Sequence, residues 1–436
     1  MVLTSSQNTL ENITQSKAPR SDEVKITIIT TYSLRNKGDE MLLRGTIDSL
    51  KEFFSLRKKN PIFYVFSVNP ASDEKIFHED GVQFLLCVPP PSWYYKSRWD
   101  LILTNLKLFF VLLLYKFFGQ RMFVIFRKEV KDTLYHLSTS EFVLARSIDQ
   151  LTDVFGLVGF LKNIIQIELT KRLNGKVIIH AHTIYVTRRG LLGAILKRIL
   201  KRTLKGTSVS VREKYSLEYL SSIDIKSILI PPPAIWYMAK VRQNIDIMDK
   251  KYDILLIPRL SLRQNNENDN LLSRFYANLL DSLLSKGYSI AVMGQSFEPM
   301  YSDNDSDFIN KIKEKSKCTF TIITPRDLDD FVDAIAKSRI CVSERAFSIF
   351  ASLSLGVPTI GIDPYGGKNW GLMKLFNFEN YCISQEERYN SKEIYHLIHK
   401  ALNNENELRL RLNERFKQLH KEYTDRTQQI LKVVIN

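Results

Sequence analysis

The feature that most constrains this chain is an alternation that runs twice. Short β-branched or aromatic runs are each followed by a helical stretch, and a polar break separates two such series. In the first series KITIITTY (25–32), PIFYVFSVN (61–69), EFVLA (141–145), KVIIH (176–180), TSVSV (207–211) and residues 227–230 read as strands. In the second, YDILLIP (252–258), YSIAVM (288–293), TFTII (319–323) and residues 340–343 and 358–362 do. Helices are expected after a loop in 35–54, in a stretch ending at the Asn174-Gly175 C-cap, and over 190–204, 214–221, 269–286, 308–315, 327–337 and 346–355. Strands alternating with helices imply parallel sheets covered on both faces. The chain is therefore expected to be α/β, with Rossmann-like domains at 25–235 and 250–390 and a cleft between them. A polar leader, 1–24, is expected to be disordered, and charged helices, 391–436, to pack back. Ligands of such folds bind beyond the carboxyl ends of the strands, so the residues that follow each strand carry the functional reading.

Charge narrows the partners. The formal net charge is +15, from 62 Lys+Arg against 47 Asp+Glu. That favours anionic small molecules or an anionic membrane face over a merely solvated surface. No nucleic-acid-binding motif accompanies the basic residues. Cys87, Cys318, Cys341 and Cys382 form no CxxC pair, and reduced thiols in a cytoplasmic protein fit them best. The leader lacks the apolar core of a signal sequence. The most apolar region, 101–126, is interrupted by Lys107, Lys116 and Arg121, and its longest unbroken run, 108–115, is far short of a membrane span. A buried core helix is the favoured reading. An interfacial helix is the other, supported by the aromatic and basic cluster Trp93, Tyr94, Tyr95, Lys96, Arg98 and Trp99.

Four clusters follow strands. Asn36-Lys37-Gly38-Asp39-Glu40 opens a helix, whose free N–H groups suit an anion or a sugar hydroxyl. Gly38 there permits a positive φ or a close approach, and the plain alternative is a turn with Asp39 as N-cap. His180 and His182, at the end of a strand, share one face of it. Without a third ligand no metal is expected, and His182 is a candidate acid or base. Arg212, within Ser210-Val211-Arg212-Glu213, presents a planar fork for a carboxylate or phosphate, or pairs with Glu213. Ser343-Glu344-Arg345 ends a strand where a small-residue helix starts, with Gly356 as its C-cap and Lys368 in the next strand-end loop. Arg345, a helix N-terminus and Lys368 in one crevice would hold a compact, highly charged anion.

Together these stretches resemble the polysaccharide pyruvyl transferase family. Asn36-Lys37-Gly38-Asp39 matches its Asn-x-Gly-Asp loop, and Ser210 to Ser216 its S-V-R-[DE]-x-x-S segment. Arg345, Ala351 to Pro358 and Lys368 match in part its R-L-H helix start, A-x-x-x-G-V-P and later Lys. The resemblance implies a GT-B-like fold and transfer of a pyruvyl group from phosphoenolpyruvate to a sugar of a cell-surface polysaccharide, without a further cofactor. It implies that Arg212, Arg345, Lys368 and Ser343 bind the donor, that Asn36, Gly38 and Asp39 hold the acceptor, and that Arg212, Arg345 and His182 act in catalysis. The acceptor would be a sugar or lipid-linked glycan, with peripheral contact at an anionic membrane. Three departures stand out: Phe347 replaces the family His, Arg146-Ser147-Ile148-Asp149 replaces a Gly-rich loop, and Pro231-Pro232-Pro233-Ala234 lacks the Asp before Pro-Ala. The missing His is the reason to look to His182 for proton transfer. A GT-B glycosyltransferase using a nucleotide-sugar donor and a catalytically silent family member are the alternatives.

Overall fold

The computed structural model describes residues 22–30, 33–147, 149–245, 249–259, 266–298, 303–364, 367–384 and 386–435. The expected leader lies, to residue 21, outside the described residues. Seven strands, β1 (Glu23–Ile29), β2 (Asn60–Ser67), β3 (Val82–Leu86), β4 (Phe142–Ala145), β5 (Val177–His182), β6 (Ser208–Val211) and β7 (Ile228–Leu229), form one sheet in the order β3-β2-β1-β4-β5-β6-β7. Six more, β8 (Tyr252–Ile257), β9 (Ile290–Met293), β10 (Thr321–Ile323), β11 (Ser338–Ser343), β12 (Thr359–Ile362) and β13 (Cys382–Ile383), form a second in the order β10-β9-β8-β11-β12-β13. Neighbouring strands in both sheets are parallel, with Ile28 opposite Val65 and Leu144, and Leu256 opposite Val292 and Val342. Each order starts in the middle and reverses beside the first strand, as in doubly wound folds. The inner strands are almost wholly buried, β4 along its full length, because helices cover both faces.

Helix α1 (Lys37–Ser55) follows β1 and packs on the helix Ala234–Val241, most of which falls in the gap between the expected domains at 25–235 and 250–390. Gly45 makes that contact close: a Cβ there would lie 2.0 Å from the Pro233 carbonyl oxygen. Helices α2 (Arg98–Phe118), α3 (Leu157–Leu173) and α4 (Gly190–Leu204) cover one face of the first sheet. Helices α5 (Ala346–Ser354) and α6 (Lys368–Leu375) belong to the second. The last helix, α7 (Glu405–Ile435), crosses from one sheet's helices to the other's. Arg415 donates to the Leu375 carbonyl on one side, and the Tyr423 hydroxyl meets Ser49 of α1 at 2.9 Å on the other.

The core-helix reading of the apolar region 101–126 is corrected. Only Thr104, Leu108 and Val111 of α2 are buried, a narrow i, i+4, i+7 stripe. The rest of this apolar helix is half-buried or faces outward.

Candidate active site

The carboxyl ends of the two sheets face each other, and one guanidinium stands out among the residues there. Arg212 follows β6 and is 1% exposed. Its Nε donates to Thr183 Oγ1 at 2.8 Å and lies 3.5 Å from a Glu213 oxygen. Neither terminal nitrogen, Nη1 or Nη2, has a hydrogen-bond partner among the described residues. The guanidinium carbon sits 5.4 Å from the centre of the Phe347 ring, which comes from the second domain. The surrounding motif holds this fork in place. Ser210 Oγ accepts from Ala181 N at 2.9 Å, and Ser216 Oγ accepts from Ile184 N at 2.8 Å and donates to Glu213. Thr183 also donates to Glu213, at 3.2 Å. Glu213 is thus an orienting partner more than a neutralising one: its contact with Arg212 is through Nε alone, and burial raises its pKa.

Lys368, the first residue of α6, forms a close ion pair with Asp149 of the first domain. Burial works to raise the Asp149 carboxyl, but Lys368, Arg212 and Arg259 outweigh it and hold it at about 2. Burial lowers the pKa of Lys368, against the pull of Asp149. Arg212, Lys368 and Arg259 therefore gather round Asp149 from both domains, an electropositive corner in a site of low dielectric. Asp149 and Arg259 were not among the expected site residues. Each is a single charge just after a strand (β4 and β8), which carries no spacing signature.

The Asn36 loop is clamped across the cleft. Asn36, not Asp39, caps α1, its Oδ1 accepting from Gly38 N at 3.0 Å and from Gln295 Nε2 at 3.0 Å. Lys37 N donates to the Gln295 carbonyl at 3.0 Å. Gly38 has no positive φ; it is needed because a Cβ there would meet Phe347 Cβ at 2.7 Å and Cδ2 at 2.9 Å. Its close approach is to the protein itself. Asp39 pairs with Arg146, Nη2 to Oδ1 at 2.7 Å, while Arg146 Nη1 donates to the Asp39 carbonyl at 2.9 Å. Burial nonetheless raises the Asp39 carboxyl pKa, with Arg146 opposing and Asp149 assisting. Arg146, wholly buried, is a further residue the expectations passed over.

The two histidines part company. Ala181 has φ of 52°, and the β5–β6 register shifts between Ile179 and His182, so the regular alternation fails. His180 Nε2 lies 3.4 Å from Thr427 Oγ1 of α7, while His182 Nε2 lies 3.2 Å from the Ala145 carbonyl, which makes it the donor. Burial, assisted by Arg212, pushes His182 down to about 3; burial alone pushes His180 to about 4. His182 is thus neutral at physiological pH and a poor proton donor or acceptor, contrary to its expected role.

The strand end at 343–345 is held by partners within the second domain. The Arg345 fork pairs with Asp305, Nε to Oδ2 at 3.0 Å. Asp305 also accepts from the backbone N–H groups of Gln295 and Ser296 at 2.9 and 3.0 Å. Ser343 Oγ accepts from Arg345 N at 2.9 Å, and Gln295 Oε1 takes Ser348 N at 2.8 Å. The expected convergence of Arg345 and the α5 N-terminus on an anion is replaced by a network inside the second domain. That network sets Gln295, and through it the Asn36 loop.

The fold is similar to that of several solved structures. Sucrose-phosphate synthase from Thermosynechococcus elongatus aligns with a TM-score of 0.56 at 13% identity, over 94% of this chain and 99% of its own. HepE of Anabaena, in complex with UDP-glucose, gives 0.53 at 12% over 94% and 99%. UDP-GlcNAc 2-epimerase from Neisseria meningitidis, bound to UDP-GlcNAc, gives 0.53 at 11% over 94% and 99%. At these identities the likeness establishes the GT-B-like architecture. No curated protein matches the chain in sequence. The model of the family described as polysaccharide pyruvyl transferase matches residues 36–365, which holds the Asn36 loop, Arg212, Asp149, Arg259 and Arg345, and the chain belongs to that family.

Proposed function

We propose that the enzyme transfers the pyruvyl unit of phosphoenolpyruvate to a sugar of a polysaccharide or lipid-linked glycan. The observation that carries this reading is the Arg212 fork, fully buried with both terminal nitrogens lacking a hydrogen-bond partner among the described residues. A buried guanidinium left so costs stability unless an anion completes it. The donor carries a carboxylate and a phosphate; Arg212 grips one bidentately, while Lys368 and Arg259 face the other. Asp39, on the neighbouring loop with a raised pKa, replaces His182 as the proton-transfer candidate, and the Asn36 loop borders the acceptor. Arg345 and Ser343 act as positioning residues through Asp305 and Gln295.

The chemistry balances without a cofactor. One acceptor hydroxyl adds to C2 of the donor while the methylene carbon takes a proton. A second hydroxyl, where a ketal forms, displaces phosphate. The two hydroxyl protons go to the methyl group and to the departing phosphate. Isothermal titration tests the reading, with phosphoenolpyruvate and UDP run side by side on the wild type and Arg212→Lys. Saturable phosphoenolpyruvate binding, weakened at least about tenfold when the fork becomes a point charge, is the expected result. Binding of UDP alone would transfer the site to a nucleotide-sugar glycosyltransferase, and binding of neither would overturn both.

A further inference from the structure

The outward face of α2 is the least expected surface of the molecule. Trp99, Leu103, Leu106, Phe110 and Phe117 are 79%, 52%, 47%, 49% and 76% exposed. They recur at i, i+4, i+7, i+11 and i+18, which keeps them on one side of a helix about 32 Å long. This face runs on through neighbours. Helix α3 lies between α2 and α4, and it exposes Val158, while α4 exposes Leu191, Leu192 and Ile195. The apolar area is thus shared by three helices of the first domain, well beyond scattered surface leucines.

Charge identifies what covers it. Residues 101–128 and 186–212 contain no Asp or Glu. The first stretch carries Lys107, Lys116 and Arg121, and the second carries the exposed Lys197, Arg198, Lys201 and Arg202 on the same helix as Leu191 and Ile195. A second copy of this chain would bring a like-charged face against this one. An anionic bilayer supplies both complements, acyl chains for the apolar ridge and headgroups for the cations. Trp93, a few residues before α2, and Trp99, in its first turn, are both exposed and suit the headgroup level.

Helix α2 is tied to the first domain in a way that a membrane crossing would undo. The stretch Arg98–Ile125 is long and apolar enough to span a membrane, but Leu108 and Val111 are fixed in the core of the first domain. Arg172 of α3 also donates to the Leu113 carbonyl, and Lys107 to that of Ile125. Spanning would tear that stripe out. The orientation has a consequence for the cleft. In a parallel sheet the helix after each strand starts at the strand's carboxyl end, so Val158, Leu191 and the start of α2 lie at the end of the sheet that carries Arg212.

We propose that α2, α3 and α4 form a docking face that seats the first domain in the plane of an anionic membrane, with the cleft opening beside it. Flotation of the full chain with phosphatidylcholine vesicles, with and without about 30% phosphatidylglycerol, tests this. The wild type should float with the anionic vesicles and lose binding as salt rises. Trp99→Ser/Phe110→Ser/Phe117→Ser and, separately, Lys197→Gln/Arg198→Gln/Arg202→Gln should each reduce the bound fraction at least about tenfold. Because all six side chains are exposed, both variants should keep the wild-type melting temperature and phosphoenolpyruvate affinity. Absence of flotation, or flotation equal in all three proteins, overturns the proposal. So does a lipid-free dimer that the aromatic variant converts to monomer, which would give the face to a second copy.

Discussion

Around Arg212 the chain assigns opposite duties to neighbouring polar residues. Thr183, Glu213 and Ser216 spend their side-chain hydrogen bonds on one another, on the Ile184 N–H and on a single Arg212 nitrogen. Asp39 is different in place: its carboxyl, whose pKa burial raises against the pull of Arg146, lies on the loop clamped across the cleft, where a perturbed carboxyl is a candidate for proton transfer. Asp39→Asn keeps the shape and the Arg146 contact through the remaining oxygen. It should lower kcat about 100-fold or more while phosphoenolpyruvate affinity, read by titration, changes little. Equal losses in affinity and kcat would mean that Asp39 only holds the loop. Gly38→Ala separates packing from chemistry. Its Cβ at 2.7 Å from Phe347 Cβ forces the Asn36 loop and α5 apart, at a cost of about 1–3 kcal/mol, seen as a lower unfolding midpoint in urea.

Elements were legible where a pattern is local. β1, β2, β8 and β11 announce themselves through β-branched runs, and parallel alternation follows from the helices between them. β13, two residues long, leaves almost no period to read. The helix Ala234–Val241 was hidden behind three prolines, although Pro233 is its N-cap and proline suits the start of a helix. The role of Arg345 was illegible for another reason. Its partner Asp305 is forty residues away, and no spacing rule joins them. Likewise the exposure of α2 is set by which helices surround it, while composition reports only that it is apolar. Helix packing also gives a sharp test at Gly45. Alanine would favour α1 by about 1 kcal/mol in propensity, but its Cβ would sit 2.0 Å from a backbone carbonyl. A backbone cannot swing aside as a side chain can, so a net loss of about 2 kcal/mol or more is expected, again in the urea midpoint. A neutral or stabilised Gly45→Ala would show that α1 and the 234–241 helix leave room for a Cβ between them.

Across the whole molecule, α7 ties the two sheets, and one of its anchors is titratable. His180 is buried against Thr427 and Tyr423 of that helix, and His182 lies at the cleft. Both are held neutral, at about 4 and about 3. In the unfolded chain each titrates near 6.5. Between those values the unfolded chain binds more protons, so each histidine removes stability as pH falls from about 6.5 towards its folded value. Above about pH 7 neither contributes. At pH 5 the loss is about 2 kcal/mol for each. Asp39 and Glu213 act the other way, since burial raises their pKa and protonating them favours the folded form. Asp149, held at about 2, loses its contribution only below about pH 4, outside this window. The histidines are therefore isolated by comparison. Wild type and His180→Gln/His182→Gln should be melted at pH 7.5 and pH 5. The double variant starts lower, because it loses packing, but falls less on acidification, by about 3–4 kcal/mol in the difference. Parallel falls in the two proteins would mean that these imidazoles titrate in the folded state much as they do in water.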